Sequence, residues 1–519
     1  MKRKLFFILL LLGVVGVMDS SYLAYEHYTN LILPCTINHL VPFLSDCGLV
    51  LRSKYAILFG IPLAVLGLIH YTVLTLVIGL ALTSRKKIWL SWLFLQVLIG
   101  AVFSMYFMYL QIVVIKNICI YCTLSALNSF ALFMLSNFWL VNERKAVAVY
   151  FMSIVYRYVI KRIFFLINPE LIHKCMLAYG EFLGKFPWKK RIVGFFLYYG
   201  NPHLRQKILD IEFPNPVGLA AGFDYNAQLT QVLSSIGFGF QTVGTITNMP
   251  YGGNPKPMLG RLPKSKALMV NKGFKNFGVK YIVEKLQPLS YLIPLGISVG
   301  RTNSPDLKNQ GQSVGDIVKA FEKLEKSNIQ NAYYELNISC PNLIHGKDIS
   351  FYPSKNLLEL LGALKKLNIK KPVFVKMPIE KSNKETLKIL QVMGNFTFIR
   401  GVVIGNLQKD RTDPSLDREE IKKWKMGGFS GKPCEQRSNE LVKLTYQNFE
   451  KRFVIIGCGG IFSAADAYRK FKLGASLVQL ITGMIYQGPQ LISQINSELV
   501  DMLDKDGFKN ISEAIGTGV

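Results

Sequence analysis

Hydrophobic positions fall along this chain in two regimes. Up to about residue 142 they form long runs, approximately Leu5 to Tyr25, Tyr55 to Leu82, Ile88 to Ile115 and Ile118 to Val141. Each reaches or exceeds the roughly 20 residues that a helix needs to cross about 30 Å of hydrocarbon. Beyond Pro214 the runs shorten to a few apolar or β-branched residues, each closed by small or polar ones. They are Val217 to Ala221, Gln241 to Thr245, Leu295 to Val299, Tyr333 to Ile338, Val373 to Met377, Gly401 to Gly405, Val454 to Gly457 and Leu477 to Ile481. Helical stretches separate them, and a last helix follows Pro489. The first regime predicts an all-α four-helix transmembrane bundle, the second an α/β (β/α)8 TIM barrel of roughly 290 residues. Active sites of such barrels lie at the C-terminal ends of the strands.

The first apolar run follows the basic Met1 to Lys4 segment, as in a signal peptide. No small-x-small cleavage site follows it, which favours an uncleaved span. Lys2, Arg3 and Lys4, then Arg85, Lys86 and Lys87, then Arg144 and Lys145 share one side if the four spans alternate. By the positive-inside tendency that side is cytoplasmic. The loop from about Glu26 to Lys54, carrying Cys35 and Cys47, then lies outside, with Cys119 and Cys122 at the outer end of the fourth span.

Between the two regimes, Ile160, Phe164, Leu171, Met176 and Leu183 recur at helical spacing among Arg157, Lys161, Arg162, Lys174 and the run Lys189, Lys190, Arg191 beside Trp188. The plain reading is a linker with a solvated helical face. The reading favoured by the tether before it is a pair of amphipathic helices on the cytoplasmic leaflet. The expected division is thus 1–142 membrane domain, 143–209 basic helical extension, 210–507 barrel and 508–519 tail.

Composition sharpens this division. The 519 residues are 50% hydrophobic and 18% charged, with mean hydropathy +0.26, too apolar for a wholly soluble protein and too ordered in composition for disorder. Of the net +28, only +7 lies in residues 1–145, so the excess belongs to the second part. The positive balance also admits a flavin barrel acting on RNA. That reading needs an RNA-binding helical extension that the sequence after the last barrel helix does not offer, so no nucleic-acid partner is expected.

Eight cysteines divide the same way: Cys35, Cys47, Cys119 and Cys122 in the apolar part, Cys175, Cys340, Cys434 and Cys458 in the rest. A Cys-x-x-Cys pair at a helix start favours thiolate chemistry, while structural disulfides or core thiols remain the alternative. In the barrel, Asn337 to Asn342 follow the fourth strand, Lys376 ends the fifth, Asn406 follows the sixth, and glycines 457, 459 and 460 surround the end of the seventh. Together with Thr482 and Gly483 they form a candidate phosphate and flavin mononucleotide (FMN) site. No metal site is expected.

Two resemblances give these residues roles. Asp19-Ser20-Ser21-Tyr22-Leu23, then Cys35, Cys47, Ser53, Tyr55, Phe59-Gly60-Ile61-Pro62 and Cys119-x-x-Cys122, resemble the vitamin K epoxide reductase family in its bacterial form. That implies a bundle around a quinone, ubiquinone or menaquinone, in the bacterial cytoplasmic membrane. Cys119 and Cys122 become the redox pair, and Cys35 and Cys47 the shuttle to an external thioredoxin-fold partner. An anchor without thiol chemistry is the competing reading. Phe213-x-Asn215-Pro216-x-Gly218-Leu219-Ala220-Ala221-Gly222, Gly244-Thr245-Ile246-Thr247, Gly253-Asn254-Pro255-Lys256-Pro257, Asn337 to Asn342 and Gly427-Gly428-Phe429-Ser430-Gly431 resemble dihydroorotate dehydrogenase. Ile167-Asn168-Pro169-Glu170-Leu171-Ile172-His173 resembles the extension of its quinone-using class.

The second resemblance implies that Ala221, Gly222, Thr245, Asn337, Lys376, Gly431, Gly460, Ile481 and Thr482 hold FMN. It implies that Tyr225, Asn271, Asn337, Asn342 and Asn406 face dihydroorotate or orotate, with Cys340 as catalytic base at C5 while hydride leaves C6, and Lys376 as the charge-stabilising cation. The sequence departs from the pattern in four places. Cys340 stands for the serine of the quinone class, Tyr225 for a lysine, Ser298 for an asparagine, and Val270 holds the usual asparagine position with Asn271 one residue on. These departures bear on substrate and acceptor, fumarate being the acceptor of a cysteine-using soluble class, more than on the flavin.

Overall fold

The computed structural model describes residues 2–29, 47–84, 88–140, 144–340, 342–346 and 349–519. Contacts divide the chain into Met1–Phe151 and Met152–Val519. From Met152 onward the helical extension falls in the second unit. The expected tail is also part of that unit: Ile511 and Ala514 are buried in its core, and Gly516 and Gly518 donate to Phe471 O and Lys472 O.

Four apolar helices make the first unit: α1 (Lys2–Thr29), α2 (Leu63–Thr83), α3 (Ile88–Tyr109) and α4 (Ile120–Leu140). All four carry windows long and apolar enough to cross a membrane, with most of each window unburied. Leu11, Met18, Leu76, Met105 and Met134 face outward, where hydrocarbon replaces water as the solvent. Between helices, small residues and polar bonds do the packing, because apolar contact alone gives no preference over lipid. A Cβ on Gly16 would lie 2.2 Å from the Tyr71 ring, so α1 and α2 touch there. Tyr71 Oη donates to Ser125 O at 2.9 Å and lies 2.7 Å from Ser129 Oγ, tying α2 to α4.

The second span begins eight residues later than its apolar run. Phe59 and Gly60 turn with φ of 51° and 79°, Ile57–Leu58 pairs with Ile61–Pro62, and α2 starts only after Pro62. The run was continuous in hydropathy, but a proline after a positive-φ pair sets the helix start. α3 extends through a π turn at Leu110–Ile115, which Lys116 ends at φ 60°.

In the second unit eight parallel strands close a barrel: β1 (Val217–Leu219), β2 (Phe240–Ile246), β3 (Leu295–Val299), β4 (Tyr333–Asn337), β5 (Val373–Met377), β6 (Ile399–Ile404), β7 (Val454–Cys458) and β8 (Leu477–Leu480). Each strand pairs with its neighbours in sequence, and β8 pairs with β1. Surrounding helices bury one stripe each. In Asn383–Gly394 the stripe is Thr386, Ile389, Leu390 and Met393, and Ser382 with Glu385 forms a capping box at its start.

The N-terminal ends of the strands are plugged. Phe213 meets Phe240 edge-on and Tyr333 meets Phe374 edge-on within one apolar cluster, and Tyr333 Oη lies 2.7 Å from Thr242 Oγ1. The opposite ends carry an antiparallel sheet of Leu259–Leu262, Ala267–Val270 and Gly428–Gly431. Two further helices, α5 (Pro169–Gly184) and α6 (Pro187–Leu197), come from the extension. α5 is capped by Asn168, and Gly180 packs so closely that a Cβ would meet Leu229 Cδ2 at 2.3 Å.

Candidate functional site

The residues after the barrel strands converge on one cavity. Its lining includes Ala221, Gly222, Tyr225, Thr245, Asn337, Cys340, Asn342, Lys376, Asn406, Gly431, Gly460, Ile481 and Thr482. Asn271 is not in that lining. Its Oδ1 accepts from Asn254 Nδ2 at 3.0 Å, and the preceding Val270 reaches the cavity instead. The one-residue displacement read in the sequence thus turns an amide away and an apolar side chain in.

A polar chain fixes the side chains at the strand ends. Asn337 Nδ2 donates to Thr245 Oγ1 at 2.8 Å, Thr245 Oγ1 lies 2.9 Å from Ser298 Oγ, and Ser298 Oγ donates to Glu335 Oε1 at 2.7 Å. Ser298, which replaces an asparagine, serves this chain of bonds within the barrel. Asn337 Oδ1 also accepts from Ser339 N and Oγ, and Asn406 Nδ2 donates to Ser339 O at 3.0 Å. Asn342 Nδ2 donates to Val270 O at 2.9 Å, so the loop after β4 is held against the antiparallel sheet.

The two groups expected to carry chemistry are both confined. Burial pushes the Cys340 thiol up to about 11, against a backbone bond at Asn342 and the charges of Lys409, Arg301 and Lys376. Burial likewise raises the Tyr225 phenol, which stays neutral. Lys376 is 5% exposed, with Nζ 3.5 Å from Ala221 O and 4.0 Å from Glu335 Oε1. An ammonium has three donors, so this long bond and distant carboxylate leave it able to take a further acceptor.

The opposite wall fits the FMN that the resemblance implies. Gly460 has φ 75°, and a Cβ there would lie 2.3 Å from Glu435 Cβ; Gly431 has φ 98°, and its Cβ would lie 2.5 Å from Lys266 O. Both glycines line the cavity, and these close neighbours exclude a side chain at either position, so it is backbone that borders the ligand space. Ser430 Oγ and Thr482 Oγ1, 2.8 Å apart, add hydroxyls. With Lys376, these residues would hold the cofactor.

A family model described as dihydroorotate dehydrogenase matches residues 203–503. The chain belongs to the dihydroorotate dehydrogenase family. A relative from Nostoc punctiforme, named dihydroorotate dehydrogenase (quinone), is 32% identical over 70% of this chain and 98% of its own. One of the same name from Christiangramia forsetii is 34% identical over 67% of this chain and 99% of its own. The Eimeria tenella enzyme solved in complex with ferulenol is 27% identical, with a TM-score of 0.59 over 67% of this chain and 95% of its own. A second model, the vitamin K epoxide reductase family, matches residues 7–137, so the chain is a fusion of the two.

In the bundle, a cavity of about 380 Å³ is lined by Ser20, His70, Tyr71, Gln111, Cys122 and Ser125, among others. Cys122 faces it. Cys119 is wholly buried and packs with Leu23 and Val50, the latter on the short helix Cys47–Leu51. Gln111 Oε1 accepts from Cys119 N at 2.9 Å, fixing the turn into α4. Cys119 and Cys122 are both free thiols. Cys35 lies outside the described residues, as does the side chain of Cys47.

Several cavity residues escaped the sequence reading: His173 was seen only inside a motif, and Phe223 and Lys272 were not singled out. Lys272 and His173 are 99 positions apart, and only a lysine directly beside the displaced Asn271 hinted at the pair.

Proposed function

We propose that this chain oxidises dihydroorotate to orotate with FMN and delivers the electrons to a membrane quinone. The carrying observation is the convergence of Cys340, Asn337, Asn342, Asn406 and Lys376 on one cavity that continues to the apolar side chains of Phe223, Leu259 and Ile485. Cys340, as thiolate, takes the C5 proton of the substrate. Asn342 and Asn406 hold the pyrimidine edge, and Asn337 stands where both ligands meet. FMN, when bound, accepts the hydride that leaves C6. Lys376 places its charge where the cofactor gains electrons, a fixed electrostatic contribution that needs no reorganisation.

Exposed Leu171, Phe182, Trp188, Ile192 and Phe195 on α5 and α6, with Phe186 between them, support contact of this extension with lipid. With the basic flanks cytoplasmic, the barrel would lie in a bacterial cytoplasm. The bundle is read as a quinone-linked thiol oxidoreductase, supported by Cys122 in its cavity and by Cys119 packed on the Cys47–Leu51 side. On this reading an external thiol partner reduces the Cys35 and Cys47 pair, which in turn reduces Cys119 and Cys122. The two thiols then give two electrons and two protons to quinone as their disulfide forms.

The test is anaerobic. Dihydroorotate added to the purified full-length protein should bleach the flavin absorbance, and a short-chain quinone should restore it. Absence of bleaching would end the dehydrogenase reading. Recovery with fumarate alone would reassign the acceptor.

A further inference from the structure

Cys340 also lines a second cavity, of about 510 Å³, together with Asn337, His345, Tyr352, Lys409 and Arg301. Arg301 stands two residues past β3 and is 2% exposed. Its Nη2 donates to Ile344 O, and Ile344 N donates to Asn303 Oδ1 at 2.7 Å, so the segment after β3 grips the loop that carries Cys340. The other terminal nitrogen, Nη1, is buried and has no hydrogen-bond partner among the described residues.

A guanidinium stays charged at any pH the protein meets, so it cannot escape burial by losing its proton. Burying it beside no anion is costly. Burial opposes the charge of Arg301, and two groups support it, Cys340 and then Asp316. The Asp316 oxygens are already engaged: Oδ1 accepts from Thr302 Oγ1 at 2.9 Å and from Asn248 Nδ2 at 3.1 Å, and Oδ2 from Thr302 N at 2.6 Å. Cys340 is the remaining group, and it carries charge only as a thiolate.

Around the thiol stand Tyr225 after β1, Arg301 after β3, Tyr352 later in its own loop, Lys376 on β5 and Lys409 after β6. Burial raises both phenols, which stay neutral and add no charge. His345 lines the cavity with Nε2 3.3 Å from Pro305 O, while Lys347 and Asp348 of the same loop lie outside the described residues. The Lys409 side chain is 36% exposed and ion-paired with Glu380 Oε1, so water and a carboxylate both weaken its field. Lys376 faces Glu335 Oε1 at 4.0 Å. Arg301 is the deeply buried cation of this set with an unmatched N–H group.

We propose that the Arg301 guanidinium is the counter-charge of the Cys340 thiolate and so governs how much of the base is present at a given pH. The proposal deepens the dehydrogenase reading and rests on it for the role of Cys340. An opposite charge in a buried site favours the charged form of a thiol. In each turnover the thiolate takes the C5 proton and becomes a thiol, and loss of that proton to solvent restores the anion that Arg301 otherwise lacks. Arg301 acts through Cys340, so it is a positioning residue and not a catalytic one.

The experiment uses the full-length protein with flavin content checked by absorbance. Arg301→Gln keeps a donor for Ile344 O and removes the charge; Arg301→Lys keeps the charge and loses the planar fork. Two rates are read: anaerobic bleaching by saturating dihydroorotate, followed by pH-jump stopped flow, and alkylation of Cys340 by iodoacetamide without substrate, resolved by peptide mass spectrometry. The Gln variant should be slower in both by about three- to tenfold between pH 7 and 9, since one unit of thiol pKa is tenfold in thiolate, partly offset by the stronger base. The gap should narrow above pH 11, where the wild-type thiol is already ionised. At pH 8 the Lys variant should recover most of both rates. Equal losses in Gln and Lys, with a gap constant in pH, would overturn the proposal by reducing Arg301 to a clamp on Ile344. A raised half-saturating dihydroorotate with unchanged alkylation would overturn it by assigning Arg301 to the substrate carboxylate, and wild-type rates in both variants would overturn it outright. Wild-type flavin that dihydroorotate does not bleach would defeat the dehydrogenase reading itself, while the alkylation rates would still decide whether Arg301 and Cys340 are paired.

Discussion

Cys340 offers a prediction whose size follows from its surroundings. A catalytic base must be deprotonated, and burial places this thiol at about 11. At pH 7 roughly one site in ten thousand then carries a thiolate, since each pH unit below the pKa reduces it about tenfold. The sign is fixed: a raised thiol pKa makes the rate of substrate oxidation climb with pH, about tenfold per unit between pH 7 and 10, and level off only near 11. Cys340→Ala removes the base and should cost about 10² to 10⁴ in the same step. The assay is anaerobic stopped-flow bleaching of the flavin by saturating dihydroorotate, which excludes the acceptor step. A flat profile between pH 6 and 9, or an alanine variant that bleaches at the wild-type rate, would refute the assignment of Cys340 as base.

Other consequences can be checked separately. Gly460→Ala forces a Cβ to within 2.3 Å of Glu435 Cβ at φ 75°, so flavin content after purification should fall sharply and stability by about 1–3 kcal/mol, read from absorbance ratio and thermal unfolding. Tyr71→Phe loses the bonds to Ser125 and Ser129 and should weaken the bundle by about 1 kcal/mol, measured as faster labelling of buried Cys119 by a maleimide in detergent. In membranes, Cys119 and Cys122 should resist alkylation when oxidised quinone is present and react once it is withdrawn and a dithiol reductant is supplied; an unchanged pattern would favour a bundle that only anchors.

The sequence and the fold agree best where local pattern and tertiary demand coincide. Leu295 to Val299 and Val373 to Met377 are strands with the expected ends, because β-branched runs bounded by turn residues have no competing structure. Lys376 was legible for the same reason: a lysine ending a buried strand must point to the barrel mouth. The antiparallel sheet was less so, because Gly428–Gly431 pairs with Ala267–Val270 across more than 150 residues and neither strand alternates clearly. The start of α2 was hidden by hydropathy, which is blind to the turn at Phe59 and Gly60. The pairing of Lys272 with His173 was not legible, since it depends on how α5 docks against Phe223. Ser298, an apparent loss at the strand end, becomes intelligible only beside Thr245 and Glu335.

The most direct test of the central claim uses the full-length protein in vesicles containing ubiquinone or menaquinone. Adding dihydroorotate without oxygen should form orotate and quinol in equal amounts, and Lys376→Met should abolish both. Orotate formed without quinol, or neither product from protein that retains its flavin, would contradict the account.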